Sequence, residues 1–181
     1  METNQQIIIR LIMRDLMFKV AIFAIAFAFV EASVVVYLRH LLGVNFTPPQ
    51  LQRSEILFLT SGIAFLEPQT ALKIITDTTL LNVERIREAA TLVMLASVAT
   101  LAGKLFWERV AFFFLAFGIW DIFYYIFLKL AIGWPKTLTD LDIFFLLPTP
   151  WVGPVFVPIF ISLFLIVGSL LYLLRLNKLR Q

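Results

Sequence analysis

VAFFFLAFGIWDIFYYIFLKLAIG, residues Val110–Gly133, decides the fold. It is almost wholly Phe, Leu, Ile, Ala, Trp and Tyr, with one carboxylate, Asp121, near its middle. A run of this length and composition reads as a helix that crosses a bilayer. An ionised group at the centre of such a helix costs about 2.5–3.5 kcal/mol on insertion scales, so it is expected to face a partner or a wet cavity. Glu31 repeats the pattern in the first apolar segment. Together the two acids describe a membrane protein with a polar interior.

The rest of the chain agrees. Of 181 residues, 61% are hydrophobic and 15% charged, with a mean hydropathy of +0.93. Soluble domains carry about 25% charged residues, so there is too little polar surface here to cover a water-soluble globule. The length suits a single membrane domain, residues 1–181. A formal charge of +3, with no dense basic patch interleaved with aromatics, excludes nucleic-acid binding. The absence of cysteine excludes disulfides, thiolate nucleophiles and Cys-ligated metal.

We expect an all-α, polytopic helix bundle with four transmembrane helices at about 18–42, 84–104, 110–133 and 152–174. Shorter interfacial or re-entrant helices are expected at about 3–16, 55–66, 70–81 and 138–147. A cleaved signal peptide competes for the N-terminus, but the apolar stretch after Lys19 is too long for one. Thr47-Pro48-Pro49 breaks the chain after the first span. Ile56–Leu66 is half the length needed to cross, and Glu67-Pro68 ends it. In Thr70–Leu81, Lys73 and Asp77 stand four apart, the spacing of an ion pair on one helix face. A kinked span across Ile56–Val83 is the alternative and would reverse everything after it. Asn82 reads as the cap of the second span. Ala24, Ala28 and Ala32, and again Ala99 and Gly103, are small residues four apart, which permits close helix contact in lipid. Pro154 and Pro158 fall in the first turns of the last span, where a missing donor is tolerated. Trp107, Trp134 and Trp151 read as interface anchors.

Four spans put both termini on one side. Arg10, Arg14, Lys19, Lys104, Arg109, Arg175, Lys178 and Arg180 share that side, which the positive-inside tendency makes cytoplasmic. The expected location is a cell or organelle inner membrane. The bias is modest, because Arg39, Arg53, Lys73, Arg85, Arg87 and Lys136 lie opposite. No internal repeat is evident, which weakens an inverted-repeat transporter reading.

At about 1.5 Å of rise per residue, Glu31, Arg87, Glu88, Asp121 and Lys129 converge in the outer half of one bundle. Asp121, Tyr125 and Lys129 share one helix face, with Tyr124 beside it, and would make a hydrogen-bonded chain. Glu84 and Glu88 are four apart. They would chelate a hard cation or share a proton, or else serve the positive end of the helix dipole beside Arg85 and Arg87. The candidate polar cluster is therefore Glu31, Glu84, Arg87, Glu88, Asp121, Tyr124, Tyr125 and Lys129. A lipid or a divalent cation is compatible with it, and the sequence specifies no cofactor. His40 is the only histidine and supplies neither a di-iron nor a paired-histidine haem site. There is no HExxH and no phosphate loop.

Three classes of function remain open. The first is a small accessory or structural subunit, partnered by the bilayer and by other membrane subunits or a homo-oligomer, whose buried charges hold its helices together. The second is a proton or ion path using Glu31 and Asp121. The third is an intramembrane enzyme acting on a lipid-like substrate.

Overall fold

The computed structural model describes residues 4–42, 52–60 and 62–179. Among them the chain forms α1 (Asn4–Leu42), β1 (Ile56–Thr60), β2 (Ile63–Leu66), α2 (Ala71–Ile74), α3 (Thr78–Ala102), α4 (Phe106–Ile132), β3 (Leu141–Phe145), β4 (Trp151–Pro154) and α5 (Phe156–Leu179). Three helical stretches are long and apolar enough to cross a membrane: Arg10–Leu41, Phe106–Ile132 and Phe156–Leu176. The break expected at Thr47-Pro48-Pro49 and the terminal Arg180 lie outside the described residues.

The lead-in helix and the first span are one helix. No Pro or Gly occurs between Asn4 and Leu42, so nothing interrupts the backbone ladder, and Arg39 and His40 occupy the last turn. The next helix starts earlier than expected. Asp77, not Asn82, caps α3: its Oδ1 accepts the Leu80 N–H at 2.8 Å, and its carbonyl accepts that of Leu81 at 2.9 Å. Lys73 pairs instead with Glu55, and the expected 70–81 helix divides at Ile75–Asp77.

The link between α3 and α4 is tight because three side-chain and packing devices act on it. Glu108, at the third position of α4, reaches back with Oε2 to the N–H groups of Lys104 (2.8 Å) and Leu105 (3.0 Å). This satisfies donors that a helix start leaves open. Arg109 Nε donates to the Gly103 carbonyl at 3.1 Å, closing the end of α3. A Cβ at Gly103 would lie 2.6 Å from the Arg109 backbone nitrogen, so only glycine fits the turn.

The expectation of an all-α chain gives way to a four-stranded antiparallel sheet of order β1-β2-β4-β3. The strands replace the helices expected at 55–66 and 138–147. The apolar run 56–66 is two short runs joined by a two-residue connection, with Gly62 at φ +93°, a conformation an L side chain resists. Leu141–Phe145 and Trp151–Pro154 are likewise short, apolar and aromatic, and prolines between them preclude a continuous helix.

Two compact units divide these elements: Met1–Ala32, Met94–Phe127 and Ile159–Gln181 form one, Ser33–Val93 and Leu128–Pro158 the other. The first is helical. In α1 its buried stripe runs Met13, Val20, Ala24, Phe27, Ala28, Glu31 and Ala32, so the three alanines spaced four apart all lie inside. The second holds the sheet. Ala71, Ile75, Leu81 and Leu146 form a core there, with Ile74, Leu80 and Ile143 packed against it.

Candidate functional site

In the first unit, the buried face of α4 carries Phe112, Leu115, Ala116, Asp121 and Tyr125. Asp121 Oδ2 accepts a hydrogen bond from Ser162 Oγ of α5 at 2.8 Å. Both side chains are buried, Asp121 at 8% and Ser162 at 1% exposure. Gly118, one turn before Asp121, explains how α5 comes this close. A Cβ there would stand 2.8 Å from both the Ser162 carbonyl oxygen and Ile166 Cγ1. Small residues permit such an approach between apolar helices, and a polar bond then forms across it.

An aromatic string follows α4 beside this pair. Ring centroids of Phe113 and Phe117, Phe117 and Trp120, Trp120 and Tyr124, and Tyr124 and Tyr125 are 6.1, 5.5, 6.2 and 5.1 Å apart. Steps of three, four and one along a helix produce such a row without a ligand. Glu31 is buried on α1 in the same unit.

The second unit holds the rest of the expected cluster. Arg87 and Glu84 form an ion pair along α3, with Arg87 Nε 2.9 and 3.0 Å from the two carboxylate oxygens. Glu88, one turn on, accepts the Leu146 N–H with Oε1 (3.1 Å) and Oε2 (2.9 Å). That bond ties the chain after β3 to α3, and Leu146 itself lies in the unit's core. Thr91 Oγ1 donates to the Arg87 carbonyl at 3.0 Å. Lys129 is exposed, and its ammonium donates to the Pro135 carbonyl at 2.7 Å and the Gly133 carbonyl at 3.4 Å. It therefore closes the end of α4, where a cation suits the negative pole of the helix. The Lys129 ammonium, expected to continue a chain from Asp121 and Tyr125, is held by the turn that follows its own helix. Gly133 supplies that turn at φ +70°.

The residues of the expected cluster are drawn from both units. Glu31, Asp121, Tyr124 and Tyr125 belong to one unit, and Glu84, Arg87, Glu88 and Lys129 to the other. Ser162 was not among the expected site residues. Its signal in the sequence is the pair Ser162 and Ser169, two turns apart in an otherwise apolar helix and both buried. Asp142, on β3, is a further buried acid. Among the described residues, no group of three or more His, Asp or Glu side chains is placed to hold a metal ion.

Outside the apolar helices, two half-buried acids have shifted ionisation. Glu55 lies below the usual carboxyl range, first because Lys73 donates a hydrogen bond to it and then because the Gln52 N–H does so at 2.9 Å. Asp140 is lowered chiefly by the Thr137 hydroxyl at 2.6 Å, and further by the N–H groups of Lys136 and Thr137 at 2.7 and 3.3 Å. Each fixes a turn next to the sheet.

No protein-family model matches this sequence, and neither a curated protein nor a solved structure does.

Proposed function

We propose that this chain is an integral membrane protein of four spans, α1, α3, α4 and α5, acting as a small structural or accessory subunit. In this reading both termini face the cytoplasm and the partners are the bilayer and neighbouring membrane subunits. The observation that carries it is an inverted polarity. On α3, Glu84, Glu88 and Thr91 are buried beside Leu81, Leu95 and Ala99, while Ile86, Val93 and Leu101 are exposed at 69%, 63% and 86%. On α5, Ser162 and Ser169 are buried and Phe160, Phe164 and Leu171 are exposed. A helix in water does the reverse. Lipid favours this arrangement, because apolar surface there needs no cover and polar groups do.

The structural role rests on what the acids hold. Asp121 takes a hydroxyl, Glu88 a backbone N–H, Glu84 a guanidinium and Glu108 two N–H groups of a turn. Asp121 ties α4 to α5 and Glu88 ties α3 to the chain after β3, while Glu84 and Glu108 act within their own turns. A proton path or an acid–base catalyst needs a carboxylate that exchanges partners.

Reconstitution into proteoliposomes separates these readings. Wild-type protein and Asp121→Asn, which keeps shape and removes charge, should give the same background proton leak. The chain extracted in mild detergent from its own membrane should migrate as an assembly larger than the 20.8 kDa monomer. Proton flux or lipid turnover that vanishes in a folded Asp121→Asn protein would refute the subunit reading.

A further inference from the structure

Four rings cross one face of the sheet in a row. Phe58 on β1, Phe65 on β2, Trp151 on β4 and Phe145 on β3 are successive register partners, with centroids 6.0, 4.8 and 6.1 Å apart. The opposite face carries Leu66, Val152 and Ile143, and Ile143 packs on the core beneath. The aromatic row is therefore on the face turned away from that core.

Two irregularities put it there. Ile56 pairs with Leu66 and Ile143 with Val152, so regular alternation would send Phe58 and Phe145 to the core face. The register shifts between Ile56 and Phe58, and between Ile143 and Phe145, each skip one residue and turn the phenylalanine outward. Re-aiming a side chain is a recurrent use of a bulge. Edge strand β1 is apolar as well, with Leu57, Phe58 and Leu59 exposed at 51%, 61% and 67%. Asp142, paired with Gly153 and buried, shares the aromatic face, and edge strand β1 carries no charged residue where water would favour one.

Its neighbour in the chain indicates what covers it. β4 ends at Pro154, and α5, apolar enough to cross a membrane, begins at Phe156. The Val155 N–H bonds the Asp140 carbonyl at 3.0 Å and the Phe156 N–H bonds the Leu138 carbonyl at 2.9 Å, so the sheet is pinned where α5 begins. A four-residue strand spans about 13 Å, so a strand lying along the surface stays beside the headgroups. Phe58 is exposed and Phe65, Trp151 and Phe145 are half-buried, and Phe and Trp rings of this kind are favoured at the membrane interface.

We propose that the row Phe58–Phe65–Trp151–Phe145 is a membrane-docking surface that lies in the headgroup and glycerol layer of the leaflet α5 enters. This rests on the membrane reading above. Trp151 reports on it directly. A single-tryptophan protein, with Trp107, Trp120 and Trp134 changed to Phe, is reconstituted into phosphatidylcholine vesicles. The vesicles carry acyl chains brominated near the glycerol end or near the terminal methyl. Shallow bromines should quench Trp151 about twofold more than deep ones, as expected of an interfacial ring. Equal and negligible quenching at both depths overturns the proposal, and so does shielding by a second copy or another protein on that face. If the triple variant does not fold, Phe58→Cys in the otherwise cysteine-free chain takes a spin label. Its collisions with oxygen should exceed those with a water-soluble nickel complex, and nickel collisions as frequent as at an exposed Gln52→Cys overturn the idea. An alkaline carbonate wash tests the membrane reading separately: protein released from the vesicles refutes that reading, whereas protein retained with Trp151 unquenched refutes only the docking surface.

Discussion

Removing the hydroxyl of Ser162 should weaken the fold through Asp121, and a double-mutant cycle measures by how much. The two side chains meet at 2.8 Å and are almost wholly buried. Interhelical side-chain bonds in membranes average about 0.6 kcal/mol and reach about 1.7. A short bond to a carboxylate belongs in the upper part of that range, since bonds to charged groups are worth about 1.5–3 kcal/mol net in soluble proteins. We therefore expect a coupling of about 1–1.7 kcal/mol between Ser162→Ala and Asp121→Ala, or roughly 5- to 18-fold in the unfolding equilibrium. Gly118 keeps α4 and α5 in contact in every variant, so the cycle reads the bond and not a separation of helices. The assay is unfolding in mixed micelles followed by circular dichroism. Ser169→Ala is the control: it is buried on the same helix but about 10.5 Å further along it, so its effect should add to that of Asp121→Ala within about 0.3–0.5 kcal/mol. A Ser162–Asp121 coupling no larger than the Ser169 control would refute the tie.

Gly118→Ala should destabilise by roughly 1–3 kcal/mol, because its methyl meets a backbone oxygen that cannot step aside. Gly168→Ala, with nothing within 4 Å, should instead stabilise by about 0.4–1 kcal/mol through helix propensity alone, and thermal scans of the pair separate packing from propensity. Asp77→Ala removes the cap of α3 and should cost about 1 kcal/mol, with amide exchange at Leu80 rising first. The lowered ionisation of Asp140 and Glu55 fixes the sign of an acid effect. Their contributions are fully present above the unfolded values, about 3.9 and 4.3, and are lost as pH falls through the lower folded values. Amide protection at Lys136 and Gln52 should therefore hold at neutral pH and fall below about pH 4. Lys73→Met should raise Glu55 toward an ordinary carboxyl in a carbon-13 titration, and an unmoved midpoint would show that the pair contributes nothing.

The apolar helices were legible because lipid selects on composition. Val110–Gly133 falls close to α4 and most of Val152–Leu174 falls in α5, but Val152–Pro154, expected as the first turn of that helix, belong to β4, whose pairing with β2 and β3 was not visible in the sequence. The sheet was not legible by the same means. By length alone Ile56–Leu66 reads as one element, whereas the Gly62 turn makes it two. The partner that completes the sheet, β4, follows much later in the chain. Helical rise assigned the charged residues a common depth, but depth leaves out azimuth and local ties. Lys129 illustrates the loss: its ammonium bonds the turn that ends its own helix, a preference any helix C-terminus offers. Ser162 illustrates the converse, since a serine in an apolar helix gives no hint of its partner until the helix pairing is known.

α3 shows how the proposed span is consistent with its own charges. Beyond Glu88 its apolar stretch runs only to Ala102, about 21 Å at helical rise, against a hydrocarbon core of about 30 Å. A fourth span must therefore take its first charged turns below the membrane surface. Counted by composition those turns disqualify it, and α3 is not among the three helices that satisfy length and apolarity alone. Counted by direction they do not. Glu84 and Glu88 point inward and are held by Arg87 and by the Leu146 N–H, while Val83 before them and Ile86 between them are exposed. The outer surface of α3 along the charged turns thus includes Val83 and Ile86 beside Asn82 and the half-buried Arg85 and Arg87, and beyond them Val93, Met94 and Leu101. On the proposed reading, the inward acids are what let a helix of this composition stand in lipid, because exposing them there would cost more than any bond they make inside.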